Sequence, residues 1–99
     1  MNTNTQPYLS KAAVFYSRKK FENGTMLEII VDCLHIEGRQ DFRFTVLFTN
    51  ENEVEYAELD DVTSDRECAE KLFSLLTTGN VYPCHLNDIA EDFLISYVK

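Results

Sequence analysis

The sequence has no tryptophan, two prolines, three glycines and two histidines, and it is poor in positive charge: nine Lys and Arg stand against seventeen Asp and Glu. Each shortage excludes something. Three isolated glycines, Gly24, Gly38 and Gly79, do not make a Gly-rich loop that could cradle a phosphate. His35 and His85 are the imidazoles available for general-base or metal chemistry. Three cysteines, Cys33, Cys68 and Cys84, are an odd count without a Cys-x-x-Cys pair. A small secreted domain usually shows an even disulfide framework, so free thiols and a reducing, cytoplasmic setting are expected. No apolar run approaches the ~18 residues of a membrane span, and the start, MNTNTQPYLSK, lacks the basic-then-apolar pattern of a signal peptide.

The shortage of basic residues is uneven. Residues 1–45 carry six basic and five acidic side chains, whereas residues 46–99 carry three and twelve. Phosphate backbones are bound by clustered Lys and Arg, so direct nucleic-acid binding is not expected. Arg18-Lys19-Lys20 is the one basic cluster, and three charges at a strand end read as a solvated end.

What is present is ordinary globular material. Ninety-nine residues, 44% of them hydrophobic and including seven Phe and five Tyr, suit a single domain. That domain is expected over residues 11–99, behind a polar, flexible N-terminus at residues 1–10. Asn23-Gly24 marks a type I′ turn between strands at about 13–21 and 26–36. On the second strand Leu27, Ile29, Val31 and Cys33 share one face, and Glu28 and Asp32 share the other. Leu34 and Ile36 then fall on the polar face, which implies a bulge or a second, partly covered face. Gly38-Arg39-Gln40 reads as the next turn. In DFRFTVLFT, Phe42, Phe44, Val46 and Phe48 form an aromatic inner face. VEYAEL is the fourth strand, with Val54 and Tyr56 expected inward and Glu53 and Glu55 outward.

The period then changes from two to 3.6. Ser64 and Glu67 have the spacing of a capping box. Cys68, Ala69, Leu72, Phe73, Leu75 and Leu76 make an apolar stripe that stops at Gly79. A second helix starts near His85–Asn87 and buries Leu86, Ile89, Ala90, Phe93, Leu94 and Tyr97. The expected fold is α+β: a four-stranded antiparallel meander followed by two α-helices packed on one face of the sheet.

The segment DDVTSDRECAEKLFSLLTTGNVYPCHLNDIAEDFL resembles the closing signature of a domain-of-unknown-function family of small proteins from Clostridia and related Firmicutes. The matching positions are Ser64, Asp65, Arg66, Glu67, Pro83, His85, Leu86, Asp88, Asp92, Phe93 and Leu94. The resemblance implies the strands-then-two-helices architecture and a bacterial, phage or mobile-element origin. It brings no known activity, so it assigns no functional residue.

Catalytic chemistry has few candidates. Cys33 and His35 share a strand face, and Cys84 and His85 are adjacent, but nucleophilic catalysis also needs an orienting group. As zinc ligands these four lack the usual paired-ligand hairpin. Asp60-Asp61 and Asp88/Asp92 show no regular oxygen-ligand loop, and Asp88 and Asp92 suit a solvated first helical turn. No enzyme activity, cofactor or metal is expected.

One stretch resists a bland account. ENEVEYAELDD, residues 51–61, holds six carboxylates in eleven positions and no Lys or Arg: Glu51, Glu53, Glu55, Glu58, Asp60 and Asp61. Edge protection and solubility need one or two charges. Charge this dense costs stability by self-repulsion, which a basic surface would relieve. Two readings therefore stand. In the first, these residues bind a basic protein surface, as on a nucleic-acid-binding nuclease or regulator, and inhibit it in the manner of small phage or mobile-element proteins such as anti-CRISPRs. In the second, the chain is a cytosolic regulatory adaptor or homodimer whose acidic face serves solubility.

Overall fold

A computed structural model of the chain describes residues 13–97. The expected flexible segment 1–10 lies outside the described residues. Four strands, β1 (Ala13–Lys20), β2 (Met26–Ile36), β3 (Arg39–Thr49) and β4 (Val54–Thr63), form one antiparallel sheet in the order β1-β2-β3-β4. Two helices follow, α1 (Arg66–Thr78) and, after a single 3-10 turn at Pro83–His85, α2 (Leu86–Tyr97). The α+β meander with a closing helix pair is the architecture expected from the change of period.

The turns set the register. Between β1 and β2, Gly24 has φ +88° and its N–H donates to the Phe21 carbonyl at 3.0 Å, while Asn23 stays out of the left-handed region. This is a type I turn closed by a Gly bulge, not the expected type I′ turn. Asn23 Oδ1 stabilises it by accepting from the Thr25 hydroxyl at 2.7 Å and the Thr25 N–H at 3.1 Å. The type I′ geometry appears instead at Glu37-Gly38 (φ +53° and +78°), with Arg39 and Gln40 already in β3. From there β2 and β3 pair without interruption, Ile36 opposite Arg39 through Met26 opposite Thr49. The bulge allowed for in β2 is absent; the second covered face is the alternative that holds.

One face carries the main core. Leu27, Ile29, Val31, Phe42, Phe44 and Val46 pack against Ala69, Leu72 and Leu76 of α1 and Leu86 and Ala90 of α2. Phe48, Phe73, Ile89 and Phe93 border that cluster, and Phe15 stacks on Phe73 with ring centroids 5.4 Å apart. Leu75, expected in the stripe, is largely exposed.

Helix α1 is capped one residue later than the capping-box spacing suggests. Asp65 is the N-cap, its carboxylate accepting the Glu67 N–H at 3.1 Å. A carboxylate there answers the orphan N–H groups and the positive end of the helix dipole together, which a Ser64 hydroxyl would do more weakly. At the other end Asn80 takes the left-handed position (φ +51°), and the Val81 N–H donates back to the Leu76 carbonyl at 3.2 Å. This Schellman closure turns Val81 into the core beside Leu76.

The face turned away from the helices is also buried at its centre. Ile30 and Leu47 lie there, and so do Glu28 at 6% exposure and Asp32 at 1%. Both acids lie on the face that the alternation of β2 marks as polar. They are tolerated because each meets a partner: Tyr16 donates its phenolic hydrogen to Glu28, and Arg43 forks onto Asp32.

Candidate functional site at an acidic sheet edge

Residues directly opposite one another in antiparallel strands share a face. Phe48, Val46 and Phe44 of β3 sit opposite Glu55, Ala57 and Leu59 of β4, so those three β4 residues occupy the helix-covered face. Val54 and Tyr56 therefore point the other way and are 50% and 54% exposed. This inverts the expected orientation. The cause is the β3–β4 turn: the Asn50 N–H donates to the Glu53 carbonyl at 3.0 Å, which makes Val54 the partner of Thr49. Asn50 Oδ1 holds that turn by accepting the N–H groups of Asn52 and Glu53 at 2.9 and 3.1 Å.

The six acidic residues are thus distributed along one edge rather than on one face. Glu51 and Glu53 stand in the turn, Glu55 on the helix side near the strand start, and Glu58 on the opposite face across from Thr45. Asp60 and Asp61 occupy a break in pairing, where β4 spends four steps (Leu59 to Thr63) against two in β3 (Phe44 to Phe42). Asp61 absorbs the bend with φ +56°. All six are exposed.

They are not all without counterions. Arg43 Nε lies 3.2 Å from Glu58 Oε2, and the same guanidinium binds Asp32 through Nη2 at 2.9 Å. Asp32, Arg43 and Glu58 form a charge ladder across three strands. The Asp32 hydrogen bond, with the added field of Glu58 and Asp60, raises the Arg43 pKa further against a smaller opposing effect of burial. Among the described residues the other five acids make no ion pair. The ladder was missed because its members are eleven and fifteen residues apart; the signal was an Arg and an Asp on the same side of adjacent strands.

Other candidate groups do not converge. Tyr82 packs edge-on against Phe48 with ring centroids 5.0 Å apart, which anchors Cys84 and His85 at the Phe48 end of the sheet. Cys33 pairs with Phe42, six residues away along β3, a separation of roughly 20 Å. Cys33 Sγ faces Gln40 Oε1 at 3.7 Å, and His35 is exposed. Among the described residues no three His, Cys, Asp or Glu side chains are grouped to hold a metal ion. Asp88 and Asp92 lie on the exposed side of α2. Among the described residues no helix is long and apolar enough to cross a membrane.

No curated protein and no solved structure matches the sequence. A family model does, over residues 28–96, from the second strand through the last helix. That span is most of the chain, and the protein belongs to the family of unknown function DUF6514.

Proposed function

We propose that this protein is a non-enzymatic protein-binding module whose acidic edge occupies a basic surface on a nucleic-acid-binding protein, a nuclease or regulator, and so blocks access of nucleic acid. One observation carries the reading. Five exposed carboxylates, Glu51, Glu53, Glu55, Asp60 and Asp61, follow one sheet edge with no ion pair to any described residue. Their mutual repulsion opposes folding in the free protein and is relieved by a basic partner. On this reading the protein acts in the cytoplasm of a bacterial host, with an origin in Clostridia or related Firmicutes and the two-helix signature as its family mark. Its functional counterparts are phage and mobile-element inhibitors, anti-CRISPR proteins among them.

The test is affinity capture from a bacterial lysate on immobilised protein, beside a variant with all six acids changed to Gln or Asn. Nucleic-acid-binding proteins should be retained by the native chain alone, and duplex DNA should displace them. Equal retention by both, or indifference to DNA, sinks the proposal. The homodimer or adaptor reading has its own support in Tyr16, Ile36, Val54 and Tyr56, large apolar side chains that are each at least 40% exposed. Sedimentation as a dimer that the sixfold variant leaves unchanged would favour it.

A further inference from the structure

β4 ends the sheet, and among the described residues no strand pairs with its outer side. The outward N–H and C=O groups of such a strand are a template for another chain. Natural edges are blunted by shortness, proline, bulges or charged side chains, and β4 has the last two in its break after Leu59 and its acids. β4 has ten residues, VEYAELDDVT, and neither Pro nor Lys among them. Its pairing with β3 runs evenly from Val54 to Leu59 before the break at Asp60–Val62. That even stretch spans six residues, or about 20 Å of extended chain.

Along this stretch the side chains alternate in a way that selects what can be added. Val54, Tyr56 and Glu58 stand on the face away from the helices, and Glu55 on the helix side. The exposed Val54 and Tyr56 offer apolar surface beside the carboxylates. A second copy of β4 laid against the first would add another row of acids to the same edge and bring no cation to Glu55, at a cost in repulsion. An extended segment carrying Lys or Arg on the helix side would instead bring their Cβ atoms about 5 Å from that of Glu55, while Glu58 already has Arg43. The same acids that exclude a copy of this chain therefore admit a basic strand.

We infer that the partner contributes an extended basic segment that pairs with Val54–Leu59 as a fifth strand of the sheet. Its backbone supplies hydrogen bonds, its Lys or Arg residues on the helix side answer Glu55, and its apolar residues on the other side lie beside Val54 and Tyr56. This inference rests on the acidic-edge reading and specifies how that edge is used.

The test keeps the protein unchanged and alters a probe. Isotope-labelled protein is titrated with a capped ten-residue peptide of alternating Lys and Val, and separately with the same peptide N-methylated at four successive central amides. Charge is identical in the two, while strand hydrogen bonds are lost in the second. The first peptide should shift the amide resonances of Val54–Leu59 and slow their hydrogen exchange. The methylated peptide should bind about tenfold more weakly or worse, the equivalent of one or two net hydrogen bonds. Equal affinity of the two peptides overturns strand addition and leaves the acidic-surface reading intact, since attraction by charge alone would then suffice. No binding of the first peptide, or shifts centred on another edge, also overturns it.

Discussion

Changing Arg43 to Met tests the charge ladder that crosses the middle of the sheet. Met keeps the aliphatic reach of the side chain and removes the guanidinium. Two hydrogen bonds to the Asp32 carboxylate are lost, from Nη2 at 2.9 Å and from Nε at 3.3 Å. Breaking a buried ion pair costs about 3–5 kcal/mol because the remaining charge stays buried. Here the Asp32 side chain is 1% exposed but that of Arg43 is 28% exposed, so solvent screening brings the cost to the foot of that range or just below it, about 2–3 kcal/mol. The Glu58 end differs. Its side chain is 38% exposed, and Glu58→Gln should cost no more than about 1 kcal/mol. Adding Asp32→Asn to Arg43→Met should cost less than the sum of the two single changes, with a coupling of about 1–2 kcal/mol. Urea unfolding followed by far-ultraviolet circular dichroism reads all four variants, and a 2–3 kcal/mol loss moves the midpoint by about 1–2 M. A loss under about 0.5 kcal/mol for Arg43→Met, or an equal loss for Glu58→Gln, refutes the argument that Asp32 is held by this guanidinium.

Phe44→Ala should cost about 3–5 kcal/mol in the same assay, because the ring is fully buried between the sheet and α1; a loss under about 1.5 kcal/mol would mean it does not fill the core. All three thiols are free, so a colorimetric thiol reagent should count three on denaturation, with exposed Cys84 reacting first in the native protein and buried Cys68 last; a native disulfide between any two would contradict this. Burial, and then the hydrogen bond to Glu28, hold the Tyr16 phenol above its ordinary pKa of 10.0. A raised folded value means that its contribution is complete below pH 10 and is lost as pH climbs through the folded pKa. The stability gap between native protein and Tyr16→Phe should accordingly shrink above pH 10, and a gap that is constant with pH counts against the assignment.

The strands and helices were legible because local patterns governed them. Phe42, Phe44, Val46 and Phe48 alternate over a run long enough to leave one solution, and the stripe from Cys68 to Leu76 has helical spacing. The inner face of β4 was not legible. Val54 and Tyr56 are more hydrophobic in look than Ala57, yet they lie outward. Their orientation follows from the Asn50–Glu53 turn and from the register it sets against β3, and only that cross-strand register is nonlocal. Burial of Glu28 and Asp32 was hidden for the same reason: the compensating Tyr16 and Arg43 come from neighbouring strands. The positions of the acidic residues on one edge followed from the strand reading. The neutralisation of Glu58 did not, since its cation lies fifteen residues back.

The meander order has a kinetic side. Every strand pairs with its neighbour in sequence, across turns only a few residues long, so the sheet requires no long loop to close. The distant contacts join the first strand to the first helix and its exit: Phe15 stacks on Phe73, Arg66 lies over the Phe15 ring, and Lys19 reaches the Asn80 side chain. Residues 15 and 73 are separated by nearly all of the sheet, so these contacts gain least from local assembly. They act as a clasp rather than a nucleus. Weakening them should speed opening of the molecule much more than it slows formation, and β1 is the strand that such an opening releases first.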